Sequence, residues 1–289
     1  MYNGFKVKIM IFAGRQQTME LLMPQLKSDY IDEILIAKNT KNINDLKYIN
    51  TLKDKYDKIT YIELPENKIG NFIGWQYLYN YLMDEDTVYI KLDDDIIYLS
   101  ENFFENILKY RFEHPEYICV FPMVVNNSYT ATLHKNSLLN KCFGNEPISK
   151  KMTEHFFNGK FGIAEHELFL NDPYNNEWNV GNIEFGQEVV IKQKPSNYSQ
   201  RNGFALLPRP QICAICFFGK LMKLINIAKQ VENLNDEEFL TYYIFNITKK
   251  LKNSLTSTAL CAHYSFSQQK NEIDKTNILM RYKTLLNLK

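Results

Sequence analysis

The apolar positions of the first ninety-odd residues alternate between two rhythms. Residues 6–13 alternate polar and apolar and then run apolar, which predicts a buried strand. Gly14-Arg15-Gln16-Gln17 follows, and residues 18–26 take helical spacing. Residues 31–37 predict a second strand, ending in Lys38-Asn39-Thr40, and residues 44–56 a helix with Leu46, Ile49 and Leu52 on one face. A third strand spans 58–64, closed by Pro65, and a helix spans 70–83 with Phe72, Trp75, Tyr79 and Leu82 on one side. Residues 87–92 make a fourth strand. Strands and helices alternating through short connections predict a mostly parallel sheet covered by helices.

The pattern then continues less evenly. Ser100 is placed to cap a helix that runs to Glu113, where His114-Pro115 ends it. Residues 117–122 predict a fifth strand. From Asn126 to about Phe204 the chain is rich in Asn, Lys, Gly and aromatics with little periodicity, which predicts loops and short helices built onto the sheet. Glu154-His155 and Glu165-His166-Glu167 fall here and are expected to be surface polar groups or acceptor contacts, with a zinc site the less favoured alternative. Order returns with an apolar strand over 211–218, a helix over 219–228, a helix start at Asn235-Asp236-Glu237-Glu238 continuing through 239–250, a late strand over 257–264 and a final amphipathic helix over 273–288. No repeat or low-complexity linker interrupts the 289 residues, which predicts one compact domain.

Composition narrows the classes. Hydrophobic residues make up 45% and aromatics 14%, enough for a sizeable core. A net charge of +1 argues against a general nucleic-acid binder. The five cysteines, Cys119, Cys142, Cys213, Cys216 and Cys261, are irregularly spaced and mostly in apolar runs, which suggests reduced thiols and a cytoplasmic setting. Cys213-Ala214-Ile215-Cys216 lies in a predicted strand, where residues three apart face opposite sides, so core packing is expected rather than metal or redox work. No signal peptide is visible, and neither apolar run, Ile9 to Ala13 or Ile212 to Phe218, approaches the roughly 20 residues that span a bilayer. Peripheral membrane contact stays open, as does the oligomeric state.

The candidate chemistry centres on Asp93-Asp94-Asp95, directly after the fourth strand and before Ile96-Ile97-Tyr98. Clustered like charges resist burial, and a divalent cation would remove that cost. Asp93 and Asp95 share one side of an extended segment, an arrangement suited to Mg²⁺ or Mn²⁺ that also holds phosphates. A solvated acidic turn is the plain alternative. Gly14 and Arg15 lie at the same strand edge, where ligands bind in open α/β sheets. Arg15 there reads equally as a phosphate or base contact and as a structural ion pair. His263 sits among apolar and aromatic residues, the setting of a core histidine or of a metal ligand. Asp236-Glu237-Glu238 reads as an acidic helix start.

Together these stretches resemble the GT-A glycosyltransferases, with Asp93-Asp94-Asp95 standing for the D-x-D motif. Residues 211–219, Asp236-Glu237-Glu238-Phe239-Leu240-Thr241 and Ala262-His263-Tyr264-Ser265-Phe266 resemble three further family segments in the expected order. Closer still, the chain resembles a little-characterised group with D-D-D-I-[IV]-Y early and A-H-[FY]-x-F late. The resemblance implies an α/β fold with a Rossmann-like central sheet. Its nucleotide-sugar-binding half would be residues 1–122, and its acceptor half 123–289 with an irregular insertion at about 126–206. It implies a hexosyl- or pentosyltransferase that moves a sugar from a nucleoside diphosphate sugar to a glycan or other hydroxyl acceptor, with inversion. Mn²⁺ or Mg²⁺ would be held by Asp93, Asp95 and His263. Glu237 would act as the base, with Asp236 in reserve. Gly14, Arg15, Lys38, Asn39, Asn71, Trp75, Asp93 and Asp94 would line the donor pocket.

Three other readings compete. A sugar-phosphate nucleotidyltransferase shares the sheet and the carboxylates, but calls for a Gly-rich loop with Arg and a following Lys after the first strand; only Gly14-Arg15 is present. An inactive carbohydrate-binding protein on the same fold would not need the acidic triplet and His263 intact. A D-x-D phosphatase would carry its motif on the first strand, with Thr or Val where Ile97 stands.

Overall fold

The computed structural model describes residues 1–70, 77–174, 176–185, 209–225, 236–243 and 252–288. Among them, nine strands form one sheet: β1 Lys6–Ala13, β2 Glu33–Lys38, β3 Ile59–Ile62, β4 Thr87–Asp93, β5 Ile96–Leu99, β6 Val120–Val125, β7 Asn182–Phe185, β8 Ala214–Phe218 and β9 Asn253–His263. Their order is β3-β2-β1-β4-β8-β6-β9-β5, with β7 paired to β9. The first half, β3-β2-β1-β4, is wholly parallel, as the alternating pattern predicts. β8 enters antiparallel between β4 and β6, and β9 runs parallel to β6.

One connection shapes everything at the acidic edge. β4 ends at Asp93 and β5 begins at Ile96, yet β5 pairs with β9 at the far end of the strand order. The three Cα–Cα steps from Asp93 to Ile96 reach at most about 11 Å. The sheet therefore curls until β9 and β5 come back towards β4, and Asp94-Asp95 span the seam.

Side-chain alternation divides the core into two layers. Val7, Ile9, Ile11 and Ala13 of β1 pack under helices α1 Gln16–Gln25, α2 Ile43–Lys55 and α3 Phe103–Glu113. Met10 and Phe12 face the other layer, which takes in Tyr79, Phe169, Phe239, Leu240 and Tyr282. α2 starts where Asn42 accepts from the backbone N–H groups of Asn44 and Asp45, a side-chain N-cap. Where Gly219 opens the helix after β8, an added Cβ would lie 2.2 Å from the Asp84 carbonyl oxygen, so only glycine fits that approach.

The structure corrects several expectations. Ser100 does not cap α3: its Oγ accepts from the Leu260 N–H at 3.3 Å, and the helix starts at Phe103. The fifth strand runs 120–125 rather than 117–122. The expected last helix is broken into a turn at Lys270–Ile273 and a helix at Ile278–Leu285. Thr276 Oγ1 accepts from the Ile278 N–H at 3.3 Å, offering the backbone a local alternative to the helix. Among its described residues, the segment without clear periodicity contains the α-helices α4 Ser128–Leu133, α5 Leu138–Phe143, α6 Ile148–Phe157 and α7 Gly159–Asn171.

His155, Glu165 and His166 are not surface groups. All three are buried. His166 bridges the Tyr282 hydroxyl at 3.1 Å and the Tyr264 carbonyl at 2.9 Å, and His155 Nδ1 meets Ser128 Oγ at 3.2 Å. Cys213 and Cys216 are buried and free. Among the described residues no helix is long and apolar enough to cross a membrane.

Candidate active site

The site is built where β1, β4 and β9 end. β1 and β4 are parallel and in register, Phe12 beside Asp93, so the turn Gly14-Arg15 and the acidic triplet leave the sheet together. The Gly14 N–H donates to Asp94 Oδ2 at 2.6 Å. Arg15 Nε donates to Asp94 Oδ1 at 2.8 Å, Nη2 reaches the same oxygen, and Nη1 donates to Asp95 Oδ2 at 2.6 Å. Asp94 thus ties the two strand ends together. Burial, offset by Arg15 and reinforced by Asp95, pushes its carboxyl up to about 6.

Asp95 and His263 meet because of strand register. Ile96 of β5 pairs antiparallel with His263, the last residue of β9, and the Tyr264 N–H donates to the Asp95 carbonyl at 2.8 Å. His263 Nε2 lies 3.2 Å from Asp95 Oδ2, and Nδ1 lies 3.2 Å from the Asn126 carbonyl, an acceptor that fixes it as N–H. Burial works to raise the Asp95 pKa, but Arg15 and His263 outweigh it and hold the carboxylate well below its usual range. Burial disfavours the imidazolium in turn, and Asp95 more than restores it, so the His263 pKa is raised.

A buried lysine lies beneath. Lys91 shares a strand face with Asp93, and its Nζ is 2.7 Å from Asp93 Oδ1 and 2.5 Å from the Ile212 carbonyl oxygen. Asp236 approaches from the helical turn Asp236–Glu238, which continues as a π-helical turn through Tyr243. Its Oδ2 accepts from the Tyr79 hydroxyl at 3.1 Å. Burial raises the Asp236 carboxyl to about 6, with Lys91 opposing and Glu237 adding to the rise. Glu237 is ion-paired with Arg209.

The remaining expected donor contacts are placed as follows. Asn39 backs onto Gly14: its carbonyl oxygen would be 3.3 Å from a Cβ added there, and its Oδ1 accepts from the Gly70 N–H at 2.7 Å. Lys38 turns aside, its Nζ 2.8 Å from Glu63 Oε1 and over the Tyr61 ring. Asn71 and Trp75 lie outside the described residues. Lys91 and the Asn126 carbonyl are the groups that sequence reasoning missed. A single charge inside the run Thr87-Val88-Tyr89-Ile90-Lys91-Leu92 was the available signal for the first.

The donor chemistry suits a hard divalent ion. Asp95 Oδ1 is buried with no hydrogen-bond partner among the described residues, and His263, whose Nδ1 is anchored as N–H, would offer Nε2 to an ion only in place of the proton it directs at Asp95. Among the described residues, however, no three His, Cys, Asp or Glu side chains are gathered closely enough to hold an ion by themselves. An ion at Asp95 and His263 would need oxygens from a ligand.

No family model and no curated protein sequence matches the chain. Solved structures do. The mannosyltransferase PcManGT from Pyrobaculum calidifontis, in complex with GDP-Man and Mn²⁺, superposes with a TM-score of 0.50 at 8% identity, over 98% of this chain and 64% of that one. The fold is GT-A-like. GalNAc-T7, solved with UDP, GalNAc and Mn²⁺, gives a TM-score of 0.50 at 11% identity, over 98% of this chain and 48% of that one. The chain thus spans less than two thirds of either glycosyltransferase. A 4-diphosphocytidyl-2C-methyl-D-erythritol synthase from Anaerococcus prevotii reaches 0.46 at 11% identity, over 98% of this chain and 97% of that one. At these identities the likeness shows the fold alone. The neighbours are enzymes that act on nucleotides or nucleotide sugars.

Proposed function

We propose that the chain is a metal-dependent glycosyltransferase that moves a sugar from a nucleoside diphosphate sugar to a hydroxyl of a glycan or other acceptor, with inversion. The observation that carries this reading is the pairing of Asp95 with His263 at the strand edge, with an unpartnered Asp95 oxygen buried beside it. Mn²⁺ or Mg²⁺ would be held by Asp95, His263 and Asp93, completed by diphosphate oxygens of the donor. When bound, the ion neutralises charge that builds on the departing diphosphate.

The chain's own groups take the other roles. Asn126 keeps His263 Nε2 directed at Asp95. Arg15 and the Gly14 N–H hold the acidic loop, and Asn39 lies against Gly14 at the rim where the nucleotide would enter. Asp236 is the proposed base in preference to Glu237. It is buried, its pKa near 6 leaves it ionised at neutral pH yet able to take a proton, and Glu237 is engaged by Arg209. Asn71 and Trp75 remain proposed donor contacts.

The test is a donor screen with Mn²⁺ and several nucleotide sugars, following release of nucleoside diphosphate. Release that depends on Mn²⁺ and is abolished in Asp95→Ala is the expected result. Pyrophosphate released from a nucleoside triphosphate instead, in the presence of a sugar phosphate, would replace this reading with nucleotidyl transfer.

A further inference from the structure

We propose that the phenyl rings of Phe266, Phe156 and Phe157 form an acceptor subsite that seats a sugar ring beside the candidate ion site. The inference rests on the glycosyl-transfer reading above and narrows its acceptor to a carbohydrate.

The aromatic row starts at the site itself. Phe266 follows His263 by three residues, and their ring centroids lie 4.7 Å apart. Phe156 stands 4.8 Å from Phe266, and Phe157 5.1 Å from Phe156. Phe266 and Phe156 are half-buried, and Phe157 is 58% exposed. Backbone bonds hold the row from both sides. The Phe266 carbonyl accepts from the N–H groups of Gln269 and Lys270 at 2.9 and 3.1 Å. Gln269 Nε2 donates to the His155 carbonyl at 2.6 Å, which ties the segment after β9 to α6. α6 ends at Phe157 because Asn158 is extended and its Oδ1 accepts from the Lys160 N–H, capping α7. Phe157 thus stands at a capped junction between two helices.

The row lies on the side away from the nucleotide. Asp95 Oδ2 is met from two directions: by Arg15 Nη1, beside the Gly14 rim where the nucleotide would enter, and by His263 Nε2, beside the row. A ligand on the row is next to the ion site without crossing the donor's path, as an acceptor must be.

Two observations favour a sugar over a lipid chain. At the inner end of the row, buried polar atoms have no hydrogen-bond partner among the described residues: Ser265 Oγ, and Nε2 of His155, whose ring stands edge-on to Phe266 at 6.4 Å. Hydroxyls can pair with such atoms, whereas an alkyl chain leaves them unpaired, which is costly. The apolar surface is also short. Ser267 and Gln268 follow Phe266, and Lys160 follows Phe157 by three residues, all polar and exposed. Aromatic faces with a few directed polar groups are how proteins build small-ligand sites, and a pyranose offers a C–H face for the one and hydroxyls for the other.

The test reads sugar binding without donor or metal. Saturation-transfer difference NMR is run on the unaltered chain with the methyl glycosides of glucose, galactose, mannose and N-acetylglucosamine, and with n-octyl β-glucoside. Saturation of the ring C–H protons of at least one methyl glycoside is expected. Phe157→Ala and Phe156→Ala should each weaken that binding by at least about threefold. Tyr174→Ala removes an aromatic that is 82% exposed outside the row and should leave binding unchanged. No ring saturation with any methyl glycoside, saturation confined to the octyl chain, or an equal loss in Tyr174→Ala overturns the proposal. Phe157 is exposed enough for its variant to fold, so the outcome does not depend on Phe156→Ala. The two readings fail separately. Sugar binding that needs the row, in a chain that releases no nucleoside diphosphate, removes the transfer reaction and keeps the site. Transfer with an acceptor KM unchanged in Phe157→Ala removes the site and keeps the reaction.

Discussion

Asp95 and His263 lie 168 residues apart in sequence, yet the imidazole Nε2 stands 3.2 Å from the carboxylate. The contact follows from strand pairing: His263 is the register partner of Ile96, the residue after Asp95. A backbone ladder therefore fixes the distance between them. Neither side chain needs to search for the other, and the anchor on the Asn126 carbonyl removes the ring's remaining freedom.

Because the ladder does not depend on the imidazole, His263→Ala should leave the fold intact and weaken the ion site. The expected outcome is a loss of Mn²⁺-dependent nucleoside diphosphate release of roughly a hundredfold or more, as for removal of a group that stabilises transition-state charge. Circular dichroism should stay unchanged. Unchanged Mn²⁺ titration of the variant would remove His263 from the ion's ligands.

Asp236 and Glu237 are adjacent, but their surroundings differ. Asp236→Asn should lower kcat by about 10²–10⁴-fold, the range for loss of a general base, with little change in KM. Glu237→Gln should cost far less, since the Arg209 ion pair is what it removes. A base must be deprotonated to act. With the Asp236 pKa near 6, activity of the unaltered chain should fall as pH drops through 6, and the pH profile of kcat/KM measures that limb.

β1 and β4 are predicted within a residue because a continuous apolar run ending in charge has few other readings. The acidic triplet and His263 are visible for a related reason: charged or metal-binding side chains against apolar flanks stand out. The segment from Asn126 onward reads poorly since its helices bury His155, Glu165 and His166, so polarity no longer marks the outer face. The choice between Asp236 and Glu237 depends on helix phase and on Arg209, neither of which a local pattern reveals. The Asn126 carbonyl leaves no trace at all, since every residue carries one.

Arg15 holds the edge together. Arg15→Met strips the guanidinium from Asp94 and one donor from Asp95. Removing one partner of a buried ion pair is strongly destabilising, but Arg15 is nearly half exposed, so about 1–3 kcal/mol is expected in urea unfolding. Arg15→Lys should recover only a part, because a single ammonium cannot reproduce three directed N–H bonds to two carboxylates.

Glu165 is 1% exposed, and neither carboxylate oxygen has a hydrogen-bond partner among the described residues. Burial alone pushes its pKa up to about 8, against an unfolded-state value near 4.5. Between those values the folded chain keeps a proton that the unfolded chain has released, so stability falls as pH rises. Each pH unit in that window costs about 1.4 kcal/mol from this group. Glu165→Gln keeps the shape without the titration. Its stability relative to the unaltered chain should therefore improve steadily from pH 5 to pH 8, by several kcal/mol on the order-of-magnitude scale of that slope, and level off above pH 8. Chemical unfolding of both chains across that range measures the difference. A difference that does not vary with pH would mean the Glu165 carboxylate is charged in the folded protein and has a partner there.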